Sequence, residues 1–351
     1  ELLLIYEVLN QKNLNLKKKL YKEKTGKEFD TRNKYKVYET LRKENKNATI
    51  IVPPNTYLNK DTKLFPLSGL SLSQTINCNE NGYYSSYQSD RYGFNNPDDE
   101  WESNQIEYLI IGDSFAQGAC VNKPYDIASV IRDLSKKTVL NLGYGANGPL
   151  LEYATLKEYL DTNVKKILWI YYEGNDVEDL ADELKNKTLL KYLNNSDFSQ
   201  DLKFKQKQVN EYTLKTIKQK IESEHLRFKI FKFLKLYNLR SLSSSSKEPR
   251  LQKEFKKIAK LIHELSIKNN SELYFIYLPV YFRYNSSYDD TNYLLIKKII
   301  NDLQIPFIDI HTEVFMKEKK PLKLFPFGLV GHYNVSGYNK VGRSIYELTQ
   351  K

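Results

Sequence analysis

Apolar residues in this chain follow two rhythms, and the change between them falls near residue 106. From there, short continuous apolar runs alternate with longer stretches in which apolar positions recur every three or four residues. Ile106–Ile111, Thr138–Leu142, Ile167–Tyr172, Leu273–Leu278 and Phe307–Ile310 are runs of strand length, rich in β-branched and aromatic residues. Between them, Asp126–Leu134, Leu150–Leu160, residues of about 251–268 and Leu294–Leu303 carry helical spacing. Strands that are apolar throughout, each followed by a helix, predict a parallel sheet buried on both faces. Right-handed crossovers then place helices on either side of it.

Two regions do not fit this alternation. Residues 1–105 form an extension, lysine-rich and helical in pattern to about 50 and β-rich beyond. There the Asn81-Gly82 dipeptide, followed by Tyr83, Tyr84, Ser85, Ser86 and Tyr87, predicts a hairpin. Within the main domain, 106–351, residues of about 181–248 read as a lysine-rich helical insertion that ends in the serine run Ser243–Ser246. Its segment 226–236 is both basic and apolar, which suits a membrane-surface helix or a lid helix packed on the sheet. Leu2–Leu9 is too short to cross a bilayer. It reads either as the stub of a signal-anchor helix or as the first turns of an amphipathic helix. The first reading implies an exported or periplasmic, membrane-anchored protein.

Composition narrows the function. The chain has 351 residues and 40% hydrophobic side chains, enough for a core that needs neither metal nor disulfide staple. Two cysteines, Cys78 and Cys120, exclude a disulfide scaffold and a four-cysteine zinc module. The histidines, His225, His263, His311 and His332, share no zinc-protease spacing. The net charge of +11 comes from lysine far more than arginine, and no nucleic-acid-binding signature accompanies it, so a nucleic-acid partner is not expected.

Four short motifs could carry chemistry. In Gly112-Asp113-Ser114 a serine stands where the first strand of the sheet ends, the edge at which open α/β sheets bind ligands. A helix-capping serine would look the same. Asn141 to Pro149 matches GxGxxG through Gly143, Gly145 and Gly148. That is either a dinucleotide fingerprint or a loop whose backbone N–H groups approach a reacting oxygen. Asn175, just after the third strand, can present an amide to the same crevice, or merely cap a turn. His332, before the last helix, is a candidate general base, with His311 its competitor.

Taken together, GDS, the glycine loop, Glu173-Gly174-Asn175-Asp176 and the late histidine resemble, in identity and order, the blocks of the SGNH (GDSL-type) serine hydrolases. The resemblance covers about 106–180 and 268–348. It implies a three-layer α/β/α fold with a five-stranded, flavodoxin-like parallel sheet. It also implies an esterase or O-acyltransferase acting on a small-molecule or polysaccharide acyl ester, with a carbohydrate or lipid-like alcohol, and needing no metal or organic cofactor. Carried onto this sequence, Ser114 is the nucleophile and His332 the base. The oxyanion hole is built from the Ser114 N–H, the N–H of Gly145 or Ala146, and the Asn175 amide. The sequence departs from the family at two places. Ala146 stands where the family has glycine, and Leu329 holds the slot of its usual aspartate, three residues before the histidine. Asp309 is the candidate replacement for that acid, a backbone carbonyl is another, and an impaired scaffold protein is the alternative reading.

Overall fold

The structure is a computed structural model that describes residues 2–60, 63–161, 163–230 and 249–350, with side chains described within 12–224 and from 251 onward. The extension contains α1 (Leu2–Thr25), α2 (Lys34–Glu44) and three short strands, β1 (Ala48–Ile50), β2 (Gln74–Ile76) and β3 (Ser86–Gln88). β1 and β2 pair in parallel and β2 and β3 antiparallel. The connection from β2 to β3 carries Asn81 and Gly82, so the hairpin lies where the turn dipeptide predicts it.

The main domain then runs β4 (Ile106–Gly112), α3 (Ser114–Gln117), α4 (Ile127–Ser135), β5 (Val139–Asn141), α5 (Pro149–Tyr159) and β6 (Val164–Tyr172). Next come α6 (Asp176–Glu183), α7 (Lys187–Asn194), α8 (Gln206–Ile230) and α9 (Pro249–Lys268), the insertion and its exit. It finishes with β7 (Glu272–Leu278), α10 (Thr291–Asp302), β8 (Phe307–Asp309), α11 (Ile310–Glu313) and α12 (Val335–Leu348). The large sheet has the order β5-β4-β6-β7-β8, and every neighbouring pair is parallel. This is the five-stranded flavodoxin-like order, with a switch point between β5 and β6 where β4 stands first in sequence.

Strand alternation sends side chains to two separate cores. Leu109, Ile111, Ile167, Trp169, Phe275 and Tyr277 face α5, α9 and α10 together with the extension and α7. Tyr108, Ile110, Leu168, Ile170, Ile276 and Leu278 face α4, α11 and α12. Trp169 shows why each wall needs a polar thread. It is fully buried, edge-on to Phe275, and its indole N–H donates to Glu152 at 2.7 Å.

The extension is bonded into the domain through a buried polar network rather than laid on its surface. The Asp90 carboxylate accepts from the N–H groups of Tyr92 and Phe94, from Asn96 Nδ2 and from the Trp101 indole. Asn96 in turn exchanges hydrogen bonds with the backbone of Asn141 in β5, and Asn95 Nδ2 donates to the carbonyl of Gln117 at the end of α3. These bonds tie the extension's position to the carboxyl ends of β4 and β5.

Among the described residues no helix is long and apolar enough to cross a membrane. Residues 231–236 of the basic–apolar segment and the serine run lie outside the described residues, as do the side chains of 226–230 and of Leu2–Leu9.

Candidate active site

Ser114 begins where β4 stops. Gly112, at φ +150°, lies so close to β6 that an added Cβ would stand 2.5 Å from the Ile170 carbonyl oxygen. Any larger residue would push the strand end off its neighbour. Asp113 caps the short helix that follows, its carboxylate accepting the Phe115 N–H at 2.8 Å, and it is fully buried. Burial raises the Asp113 pKa, opposed by the N–H groups of Phe115 and Ser114 and by nearby His332. The Ser114 hydroxyl is left to face the crevice.

His332 reaches that hydroxyl from the far end of the chain. Its Nε2 lies 2.8 Å from Ser114 Oγ, a normal hydrogen-bond length. The imidazole rests against the Phe115 ring, 4.7 Å between centroids, and Phe115 stacks on Tyr172. Behind it the Tyr333 and Tyr338 hydroxyls donate to the carbonyls of Pro279 and Ala119. The ring is therefore held by packing on one side and by hydrogen bonds at both nitrogens.

The partner at the other nitrogen is Glu80, and here the sequence expectation is corrected. His332 Nδ1 lies 3.1 Å from Glu80 Oε1, and the His332 backbone N–H donates to Glu80 Oε2 at 2.6 Å. Glu80 sits in the β2–β3 connection, 252 positions before the histidine it holds. Asp309 does not take this part. Its carboxylate accepts the Tyr293 hydroxyl at 2.6 Å and the Thr312 N–H as the cap of α11. His311, the competing base, pairs instead with the Tyr284 hydroxyl at 2.7 Å. Gly331 is small for the same reason. An added Cβ would come within 2.6 Å of Glu80 Oε2, so the residue before the histidine leaves room for the acid.

The electrostatics follow from this pairing. Burial pushes the His332 pKa down, but the charge and hydrogen bond of Glu80, aided by Asp113, outweigh it, and the net shift is upward. Burial pushes Glu80 up, and His332 more than offsets it, so Glu80 lies below its ordinary value, with Lys17 adding slightly. A carboxylate on Nδ1 favours the tautomer with hydrogen on Nδ1 and a lone pair on Nε2, facing the serine proton.

The glycine loop lies against the nucleophile. An added Cβ on Gly145 would come within 3.9 Å of Ser114 Cβ. The Gly145 N–H, one of the loop's two candidate oxyanion donors, is already given to Gln117 Oε1 at 3.1 Å. Ala146 adopts φ +58°, the left-handed conformation that disfavours a side chain, which explains a family preference for glycine at that slot. Its N–H makes no hydrogen bond among the described residues. Further along, the Gly148 and Leu150 N–H groups at the start of α5 donate to the Glu183 carboxylate at 2.6 and 2.9 Å. Those are the donors a dinucleotide's pyrophosphate would need, and a buried acid from α6 occupies them. The GxGxxG match is therefore a loop anchored by α6.

Asn175 follows β6, beside β4 in the sheet, so its strand end neighbours the one that carries Ser114. Its Nδ2 donates one hydrogen to Asp179 Oδ2 at 2.6 Å, which orients the amide and leaves its second hydrogen for another acceptor. Burial drives Asp179 up to about 7 and Glu183 up to about 8, the Asn175 hydrogen bond opposing the first and backbone N–H groups the second.

Cys78 and Cys120 form a disulfide. Glu80, Cys120 and His332 place donor atoms within 4.8 Å of one another. The Cys120 sulfur, however, is bonded to Cys78 and offers no thiolate, so the trio is an acid–imidazole pair beside a covalent bridge. The two cysteines were the signal that could have revealed Glu80. One lies two residues before it and the other six after Ser114, so joining them brings acid and nucleophile together.

No protein-family model matches the chain, and no curated protein matches it. Solved structures similar to it include a member of the lipolytic protein G-D-S-L family from Veillonella parvula DSM 2008, at 11% identity and TM-score 0.42, covering 70% of this chain and 99% of that one. An acetyl xylan esterase, AlAXEase, matches at 13% identity and TM-score 0.41, covering 69% and 99%. A family two carbohydrate esterase from Clostridium thermocellum, in complex with cellohexaose, matches at 8% identity and TM-score 0.35, covering 70% and 63%. With every one of these TM-scores below 0.5, the functional reading rests on the geometry of the site itself.

Proposed function

We propose that this protein is a serine esterase of the SGNH type, working through a Ser114 acyl-enzyme with His332 as general base and Glu80 as the acid that orients it. The observation that carries the reading is the unbroken chain Ser114 Oγ–His332 Nε2 and Nδ1–Glu80, at 2.8 and 3.1 Å. Nucleophile, base and orienter within hydrogen-bond reach of one another is the arrangement that activates a serine hydroxyl.

In this reading Ser114 Oγ attacks the acyl carbonyl while its proton passes to His332 Nε2. The tetrahedral oxyanion is met by the Ala146 N–H and the free hydrogen of the Asn175 amide, with the Ser114 N–H turning to it from the Asp113 carboxylate it otherwise faces. Collapse breaks the ester bond, and His332 returns the proton to the departing alcohol oxygen. Water or a second hydroxyl then repeats the steps in reverse order, giving hydrolysis or acyl transfer. Glu80 stabilises the imidazolium that forms in each half-reaction and does not itself take the proton. The alternative of an impaired scaffold rests on Leu329, and the Glu80 carboxylate at Nδ1 supports the active reading over it. The carbohydrate or lipid-like character of the alcohol rests on the family resemblance alone.

The first experiment is hydrolysis of p-nitrophenyl acetate by the whole chain. Turnover above the buffer rate that saturates with substrate is expected, and its absence across short-chain esters counts against the reading. The second addresses the oxyanion hole. Asn175→Ala lowers kcat by about 10²–10³-fold, the usual effect of losing one such donor. An unchanged kcat would remove Asn175 from the hole.

A further inference from the structure

We infer that the Cys78–Cys120 disulfide is a positioning element of the active site, holding the tip of the β2–β3 hairpin so that Glu80 stays on His332. The inference rests on the esterase reading for its kinetic consequence, although its geometric content stands apart from it.

Glu80 lies in a partly buried connection, not in a strand or helix. The base of that connection is closed by two backbone hydrogen bonds, from Asn77 N–H to the Ser85 carbonyl and from Ser85 N–H to the Cys78 carbonyl, at 2.8 and 2.9 Å. These shape the hairpin but tie it to nothing else. Other bonds hold the tip to the extension itself: Asn79 Nδ2 donates to the Asp30 carbonyl at 2.7 Å, and Tyr21 of α1 covers Gly82, where an added Cβ would stand 2.3 Å from the ring. Among the described residues, the hairpin reaches the catalytic domain through Tyr83, which meets the Asn122 backbone, through the Ser86 N–H, which donates to Asn122 Oδ1 at 3.0 Å, and through three contacts nearer Glu80. One is the Glu80–His332 pairing. Another is a hydrogen bond from Asn81 Nδ2 to the Cys120 carbonyl at 3.0 Å. The third is the disulfide, the covalent one.

The bridge is also placed where it can act. Cys120 is fully buried just beyond α3, and its sulfur lies 3.7 Å from His332 Nδ1. Cys78 precedes Glu80 by two residues, so fixing its sulfur limits how far the carboxylate can swing. The Glu80 side chain is 25% exposed and that of His332 22%, so water competes for the carboxylate and their attraction alone is modest. A displacement of about 1 Å at a catalytic group can lower a rate about 10²-fold, so a tether of this kind has a kinetic effect even where the fold survives its loss. The charged groups facing this imidazole are Glu80 from the hairpin and Asp113 from the β4–α3 junction, with Lys17 of α1 facing Glu80. Of these, only Glu80 is held by the bridge.

The test is a double-mutant cycle between the bridge and the acid. Cys78→Ala/Cys120→Ala lowers kcat about tenfold or more with KM little changed, and in a Glu80→Gln background the same pair of substitutions lowers kcat no further. Equal losses in both backgrounds would mean that the bridge acts on the fold generally, and would overturn the inference. If the double cysteine variant does not fold, the same comparison is made on the wild-type chain and on Glu80→Gln. A dithiol reductant converts the cystine to two cysteines and is itself oxidised to a disulfide. A readout independent of catalysis separates this inference from the esterase reading. The His332 imidazole, followed by NMR, titrates at lower pH in the double cysteine variant than in wild type, whether or not the protein cleaves any ester. An unshifted His332 titration contradicts the inference even if Ser114-dependent activity is present. Absence of that activity with the shift intact contradicts only the esterase.

Discussion

Ser114→Ala lowers kcat/KM for p-nitrophenyl acetate by about 10⁴–10⁶-fold, because the other groups of a triad do little once the nucleophile is gone. Among the described residues the hydroxyl hydrogen-bonds His332 and, more distantly at 3.3 Å, the Asp113 carboxylate. Its loss therefore leaves a small polar gap at a partly open crevice, and the thermal midpoint should stay within a few degrees of wild type. That combination, large kinetic loss with little change in stability, separates a reacting serine from a capping one. A capping role would give the opposite pattern. Helix α3 is capped by Asp113 and not by Ser114, which already argues against a structural role for the hydroxyl. A variant that hydrolyses the ester at the parental rate would show that the activity belongs to another residue.

Glu80→Gln is expected to have the second largest effect, a fall in kcat of about 10²–10⁴-fold with KM nearly unchanged. The amide keeps the shape of the carboxylate. It can still accept the His332 backbone N–H, but it no longer stabilises the imidazolium, and its NH₂ can donate to Nδ1 and so favour the wrong tautomer. The pH dependence supplies a signed check. His332 works as a base in its neutral form, and Glu80 raises its affinity for a proton. Wild-type activity is therefore lost, as pH falls, from a higher pH than for an isolated histidine. In Glu80→Gln that acid limb moves to lower pH, because burial, the largest influence on the imidazole, is then opposed only by the smaller contribution of Asp113. Asp309→Asn leaves both kcat and the limb in place, since Asp309 caps α11 and holds Tyr293. If Asp309→Asn moved the limb and Glu80→Gln did not, the assignment of the acid would be reversed.

The contrast between these two acids shows what could be read in advance. Each strand of the large sheet was legible because a buried parallel strand is apolar throughout, and observed ends differ from the expected ones by at most about three residues. Val164–Tyr172, for instance, starts three residues before the expected Ile167, because Lys165 and Lys166 interrupt the apolar run although Val164 and Lys166 pair with β4. Ser114, Asn175 and His332 were legible because each lies in a short local motif beside a strand end or the last helix. Glu80 was not, because its role comes from a long-range contact that no local pattern records. The Asn81-Gly82 turn that presents it was visible, but the turn's function was not. Asp309 was a candidate only as another acid that could reach the imidazole in three dimensions, and it ends β8, which stands three places from β4 in the order β5-β4-β6-β7-β8. Asp90, Asn95 and Asn96 were likewise silent, since the turn-forming composition of their segment conceals that they are buried and bonded to β5 and α3. The glycine loop misled in a different way. Its spacing suits a phosphate cradle, and only Glu183, brought across by α6, shows that its N–H groups are already used.

The central claim is that the Ser114 hydroxyl is activated by His332 and Glu80 acting as one unit, and covalent labelling tests it most directly. A fluorophosphonate probe reacts with an activated serine and leaves a stable phosphonyl ester that peptide mapping by mass spectrometry can locate. The account predicts stoichiometric labelling of wild type on the peptide containing Ser114, much slower labelling of Glu80→Gln, and none at that site in Ser114→Ala. Wild-type protein that stays unlabelled at Ser114, or a Glu80→Gln variant labelled at the wild-type rate, would contradict it.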